Sequence, residues 1–252
     1  MVDQFEVFIK PFKENRLVNV YLPKDYDNSK EKYPVIYMFD GHNLFYDEEA
    51  AFGESWKLKD FMDKYSKKMI IVGVYCNMVG NGRIKEYFPY NKELEIFGNK
   101  EYIEGVGNVY LKWLCEELKP FIDKKYRTKK DRSNTMVAGS SMGGLMSLYS
   151  VIKRNDIFKY AACLSSSIYF CIDELIEDIK NSKLNKDTKI YMDYGGKEDR
   201  DEEYIKGLHE KIESCLKEKD IDFCFYFDEN GTHQESRWGK RVPIYMKYLF
   251  EE

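Results

Sequence analysis

Short runs of apolar, β-branched and aromatic residues punctuate this chain from one end to the other. Residues 5–9 and 16–22 predict an opening antiparallel pair of strands. Residues 33–39 form a continuous apolar run after a polar loop, and residues 69–75 another that is rich in β-branched side chains. Residues 135–138, 160–164, 189–194 and 222–227 read as further strands. Amphipathic helices are predicted at 108–117, 202–218 and 242–250. Leu145, Met146, Leu148, Tyr149 and Ile152 carry the same helical spacing directly after the fifth strand. Apolar strands with no polar alternation need cover on both faces. With helices between them, they predict an α/β protein built on a mostly parallel eight-stranded sheet. No repeat, low-complexity tract or linker divides the chain, which predicts one domain over residues 1–252. Residues 77–107 break the pattern and predict a long loop or lid. Ligands of such sheets sit at the carboxyl ends of the strands, so the residues just after each strand come next.

Composition narrows the function classes. Apolar residues make up 43% of the 252 positions and aromatics 16%, enough for a sizeable core. The net charge of −4 is spread along the chain with no basic stripe, which argues against nucleic acid. No run is apolar for long enough to predict a membrane span. The opening residues lack a basic segment followed by an apolar one, so no secretion signal is predicted. The six cysteines are scattered, with no Cys-x-x-Cys pair. They predict buried free thiols in a reducing cytoplasm rather than disulfides or metal ligands.

The chemistry concentrates in Gly139-Ser140-Ser141-Met142-Gly143, a Gly-x-Ser-x-Gly nucleophile elbow between a predicted strand and a predicted helix. A serine at such a turn has an exposed hydroxyl, and the flanking glycines avoid clashes of β-carbons. The next backbone N–H, that of Met142, lies at a helix N-terminus, where a developing oxyanion is stabilised.

Ser141 needs a base. The chain has three histidines. His42 follows the third strand, and His209 falls in a helical pattern between lysines, which predicts an exposed helix residue. His233 follows the last strand, as the nucleophile–acid–histidine order of an α/β-hydrolase requires. The acid is expected after residues 189–194, in Gly195-Gly196-Lys197-Glu198-Asp199. Glu198 and Asp199 each lie three residues past a glycine. Glu198 is favoured, and the other carboxylate is expected to cap the following helix. Asp193 lies inside the strand and is the weaker candidate. A second oxyanion donor is expected from Asp40-Gly41-His42-Asn43, through the N–H of Gly41 or His42. Gly41 would also allow the backbone close to a substrate, and His42 could contact one.

Taken in order, these segments resemble the "Putative esterase" family of α/β-hydrolases, the esterase D and enterochelin esterase-like group. That group also contains feruloyl and acetylxylan esterases and mycolyltransferases. The resemblance is carried by Val35 to Phe45 with its Asp-Gly-x-Asn-x-Phe loop, and by Asn77, Arg83 and Glu86-Tyr87-Phe88-Pro89. Glu117 to Asp123, the elbow, Gly195 to Glu198 and Gly231-Thr232-His233 complete it. It implies an α/β-hydrolase fold, an ester or thioester substrate of small size, no cofactor and no metal. It also implies that Asn43, Asn77, Arg83, Glu86 and Tyr87 shape the substrate pocket. The alternative for Arg83 and Glu86 is that they pair with each other and merely hold the loop. His42 stands where many members carry Gln, and Gly196 where many carry Thr. Esterase, S-formylglutathione-type thioesterase, acyltransferase and non-catalytic binding protein are the readings to separate. Dimerisation through an exposed edge or helix stays open.

Overall fold

The computed structural model describes residues 1–96 and 98–251. The opening pair is β1 (Val2–Ile9) and β2 (Glu14–Tyr21), followed by β3 (Val35–Met38), α1 (Leu58–Met62) and β4 (Ile70–Val74). Next come α2 (Gly82–Tyr87) and a hairpin of β5 (Asn91–Ile96) and β6 (Asn99–Glu104). Helices α3 (Gly107–Trp113) and α4 (Lys119–Lys125) are joined by a π-helical turn over Leu114–Leu118. Then follow β7 (Thr135–Ser140), α5 (Met142–Lys153), β8 (Tyr160–Leu164), α6 (Ile172–Asn181), β9 (Lys189–Gly195), α7 (Glu202–Lys217), β10 (Asp222–Asp228) and α8 (Glu235–Phe250).

Eight strands form one sheet in the order β1-β2-β4-β3-β7-β8-β9-β10. Antiparallel pairing is confined to β1–β2 and β2–β4. From β4 to β10 every pairing is parallel. The period-two alternation of side chains explains why these strands are apolar throughout. Val35 and Tyr37 of β3, Val137 of β7, and Ala161 and Cys163 of β8 enter one core, packed under α3 to α7. Ile36, Met38, Met136, Ala138, Ala162 and Leu164 alternate with them and enter a second core under α1 and α8. This is an α/β-hydrolase fold.

Four expectations change. Residues 77–107 contain α2 and the β5–β6 hairpin rather than an irregular loop, residue 97 lying outside the described residues. Their polar, alternating sequence suits a helix and hairpin that are covered on one side only: Leu94, Ile96 and Ile103 are buried while Glu93, Glu95, Tyr102 and Glu104 are exposed. The last helix begins at Glu235, two turns before the predicted start, and carries Pro243 inside it. The third-strand run is also trimmed to four residues.

His209 is the fourth correction. It is fully buried, because α7 turns Ile205, Leu208, His209, Ile212 and Leu216 together toward the sheet. Its ring stacks on Phe225 with centroids 4.0 Å apart, and Nδ1–H donates to the Ile205 carbonyl at 2.8 Å. Nε2 has no partner among the described residues. Burial lowers its pKa from 6.5 to about 4. The sign follows from linkage. The unfolded chain takes up a proton below pH 6.5 and the folded one resists it, so stability is whole above that pH and is lost as the pH falls toward 4. The loss is on the order of 3 kcal/mol. Urea unfolding across this range checks it, and His209→Phe should flatten the profile by that amount. An unchanged slope in the variant would count against this assignment.

The six cysteines are free, five of them buried and Cys224 half-buried. Among the described residues no helix is long and apolar enough to cross a membrane.

Candidate active site

The carboxyl ends of β3, β7, β8, β9 and β10 deliver the candidate residues to one edge of the sheet, because the parallel register ends these strands together. Ser140 faces Leu164, Leu164 faces Asp193, and Gly195 faces Asp228 across successive pairs. A cavity of about 640 Å³ opens there.

Ser141 sits between β7 and α5 with φ 58° and ψ −121°, a backbone conformation that side-chain-bearing residues rarely adopt. It is held by its own hydrogen bonds. Its N–H donates to the Leu164 carbonyl at 2.9 Å, and its carbonyl accepts from Leu145 at 3.0 Å and Ser167 at 3.1 Å. Glycines permit the turn: a β-carbon on Gly139 would lie 2.8 Å from the backbone of Gly143. The hydroxyl lies 3.4 Å from that of Ser167. Ser141, Met142 and His233 all line the cavity.

The two acids separate cleanly. Glu198 Oε2 accepts from His233 Nδ1 at 2.7 Å, while Oε1 accepts from the Gly195 N–H at 2.9 Å and the Ser165 hydroxyl at 2.6 Å. The Glu198 side chain is fully buried, and that of His233 is 39% exposed. The imidazole meets the Trp238 ring edge-on at 4.9 Å. Asp199 is exposed, at the cavity rim. It does not cap α7: Asp201 does, accepting from the Tyr204 N–H at 2.8 Å, and Glu202 and Glu203 fill the first turn. Asp193 is buried beneath the site. Its Oδ1 accepts from Arg241 at 2.7 Å, yet burial outweighs the guanidinium and pushes the carboxyl up to about 6.

The loop after β3 makes the opposite wall. Asp40 adopts a left-handed conformation and starts a 3₁₀ turn over Gly41–Asn43. Gly41 has a packing reason beside the expected approach to substrate. A β-carbon there would lie 2.3 Å from the Gly73 carbonyl oxygen, so the glycine lets the loop press on β4. His42 is buried at the cavity wall beside Tyr75, and burial holds its imidazole below the ordinary range. Its Nδ1 has no partner among the described residues.

Of the pocket residues implied by resemblance, Asn43 and Arg83 line the cavity. Asn77, Glu86 and Tyr87 stand behind it and support the loops. Arg83 does not pair with Glu86. It grips Asp40 with two hydrogen bonds of 2.7 and 2.8 Å. Glu86 is buried and holds Arg16 in the same bidentate way, at 2.9 and 2.7 Å, and accepts from the Asn77 N–H. The Tyr87 hydroxyl accepts from the Asp40 N–H at 3.1 Å. Helix α2 is thus bolted to the loop after β3. Asp40, His42 and Cys76 bring potential metal-ligand atoms within 4.8 Å of one another. Both Asp40 oxygens are already engaged by Arg83, whose charge opposes a cation.

Several residues at the site escaped the sequence. Glu235 is a buried wall residue that accepts from Asn43 Nδ2 at 3.0 Å, and burial pushes its carboxyl up. Tyr169, Phe170, Tyr194 and Trp238 give the cavity aromatic walls. Only the position of Glu235, two residues past His233, offered any signal.

The chain matches the family described as "Putative esterase" over residues 9–243. It belongs to that family. The esterase is therefore a carboxylic ester hydrolase. It is 22% identical to YbbA of Bacillus subtilis, over 94% of this chain and 93% of that protein. It is 27% identical to an endo-1,4-beta-xylanase/feruloyl esterase of Xylanibacter ruminicola, over 92% of this chain but 29% of that longer protein. Its fold is that of an IroE-like serine hydrolase from Shewanella oneidensis, with TM-score 0.79 and 24% identity, covering 100% of this chain and 80% of the other.

Proposed function

We propose that this esterase works through an acyl-enzyme, with Ser141 as nucleophile, His233 as base and Glu198 as the acid that orients it. The observation that carries this reading is the 2.7 Å contact between Glu198 Oε2 and His233 Nδ1, at a cavity whose wall also holds Ser141. A carboxylate can only accept, so Nδ1 carries the proton and Nε2 keeps the lone pair a base needs. Nε2 takes the Ser141 proton as Oγ attacks the ester carbonyl. The N–H groups of Met142 and of Gly41 or His42 stabilise the oxyanion. His233 then protonates the leaving alcohol, and water repeats the sequence to release the acid.

For the substrate we propose a small ester with an aromatic acyl group. The supporting features are the walls formed by Tyr169, Phe170, Tyr194 and Trp238, with Ile84 and Ile96. Among the relatives, those named feruloyl esterase and ferulic acid esterase carry an aromatic acyl group in their names. The test holds the leaving group constant. The value of kcat/KM for methyl ferulate should exceed that for methyl butyrate by about tenfold or more, since each aromatic contact contributes about 0.5–1.5 kcal/mol. Equal values would remove the aromatic preference. Faster hydrolysis of S-formylglutathione, or transfer to an added alcohol in preference to water, would replace it with a thioesterase or acyltransferase reading.

A further inference from the structure

Ser165 lies one residue beyond β8, with a positive φ of 42° and a fully buried side chain. Three groups reach its hydroxyl oxygen: Trp238 Nε1 at 2.8 Å, Arg241 Nη1 at 3.1 Å and Glu198 Oε1 at 2.6 Å. An indole N–H and a guanidinium can only donate. Together they occupy both lone pairs of the hydroxyl. Its single proton then has one destination, Glu198 Oε1, which also receives the Gly195 N–H. With Oε1 taken by two donors, Oε2 is left to face His233.

We propose that Ser165 is a positioning residue whose hydrogen-bond direction, set by Trp238 and Arg241, fixes the rotamer of Glu198 and through it the tautomer of His233. The proposal rests on the reading of Ser141, His233 and Glu198 as a working triad. Arg241 is a firm anchor for this polarity. It is buried and donates to Asp193 at 2.7 Å and to Asp228 at 3.2 Å. The same short segment reaches the nucleophile, since the Ser167 N–H donates to the Ser141 carbonyl and the two hydroxyls lie 3.4 Å apart. The residues after β8 therefore tie the acid to the elbow.

Ser165→Ala should lower kcat by about 10–100-fold, the usual scale for groups that orient a reacting residue, with KM changed by less than about twofold. The far-downfield proton resonance of the imidazole N–H bound to carboxylate should shift or broaden away in the variant, which a purely structural role would not require. Glu198→Gln separates the two levels of the argument. If it keeps wild-type kcat, the triad reading fails. If it loses activity while Ser165→Ala keeps both kcat and the resonance, this proposal alone fails. In the double variant Ser165→Ala should add nothing to the loss from Glu198→Gln, and a full multiplicative loss would overturn the proposal. Should Ser165→Ala not fold, Trp238→Phe frees one lone pair of the hydroxyl and should produce a smaller loss of the same kind. Unchanged kcat and resonance in that variant would overturn it.

Discussion

Ser141→Ala is expected to lower kcat by on the order of 10⁵–10⁶, the scale seen when a serine nucleophile is deleted from a site whose oxyanion donors remain. Nothing in the fold should be lost with it. Ser141 is half-buried, and the hydroxyl of Ser167 lies 3.4 Å from its own. The alanine keeps the strained φ of 58° and ψ of −121°. Glycine at this position would relieve that strain, which costs of order 1–3 kcal/mol. Ser141→Gly should therefore be equally inactive and melt several degrees higher, by about 2–4 °C for each kcal/mol recovered. Initial rates on p-nitrophenyl acetate, intact mass after a fluorophosphonate probe, and thermal melts check all three statements. Near-wild-type turnover in Ser141→Ala, or an adduct on another residue, would remove Ser141 from the mechanism.

Glu198→Gln is expected to cost about 10⁴ in kcat, the scale of a triad acid converted to its amide. The surroundings of Glu198 make the amide's orientation predictable. Oε1 lies against two donors, the Gly195 N–H and the Ser165 hydroxyl. The amide oxygen must take that place, which turns its NH₂ toward His233 Nδ1. Nδ1 must then accept, the ring proton moves to Nε2, and the base is lost. Asp199→Asn should change kcat by no more than about twofold, as for other exposed substitutions away from a buried network. Comparing kcat and melting temperature for the two variants tests the register directly. The opposite ranking would transfer the role to Asp199.

Much of this was legible along the chain, because it depends on local pattern. The central strands were visible since both faces of each are buried, which leaves continuous apolar runs, while the edge strand β1 alternates half-buried with exposed positions. The elbow was visible since only glycine tolerates the contact between residues 139 and 143. His233 was reached from its place after the last strand. Other features needed the third dimension. Glu198 and Asp199 are adjacent and chemically alike, and only the turn after β9 decides which one enters the buried end of the site. His209 sits between polar neighbours, so its burial depends on which face of α7 meets the sheet. Arg83 and Glu86 are spaced to meet on one helix, yet each finds a better bidentate partner, Asp40 and Arg16, from a distant part of the chain. Ser165, Trp238 and Arg241 carry no motif and converge only because β8 ends and α8 begins over the same strand edge.

The sequence by itself determined the fold class, the strained Gly-x-Ser-x-Gly turn and the order along the chain of the groups proposed to react, because steric limits and burial periodicity are written in neighbouring residues. The tertiary structure decided which acid faces the histidine, which residues line the cavity and which merely brace it. Those outcomes depend on hydrogen-bond partners tens to more than a hundred positions apart, and no local pattern encodes them.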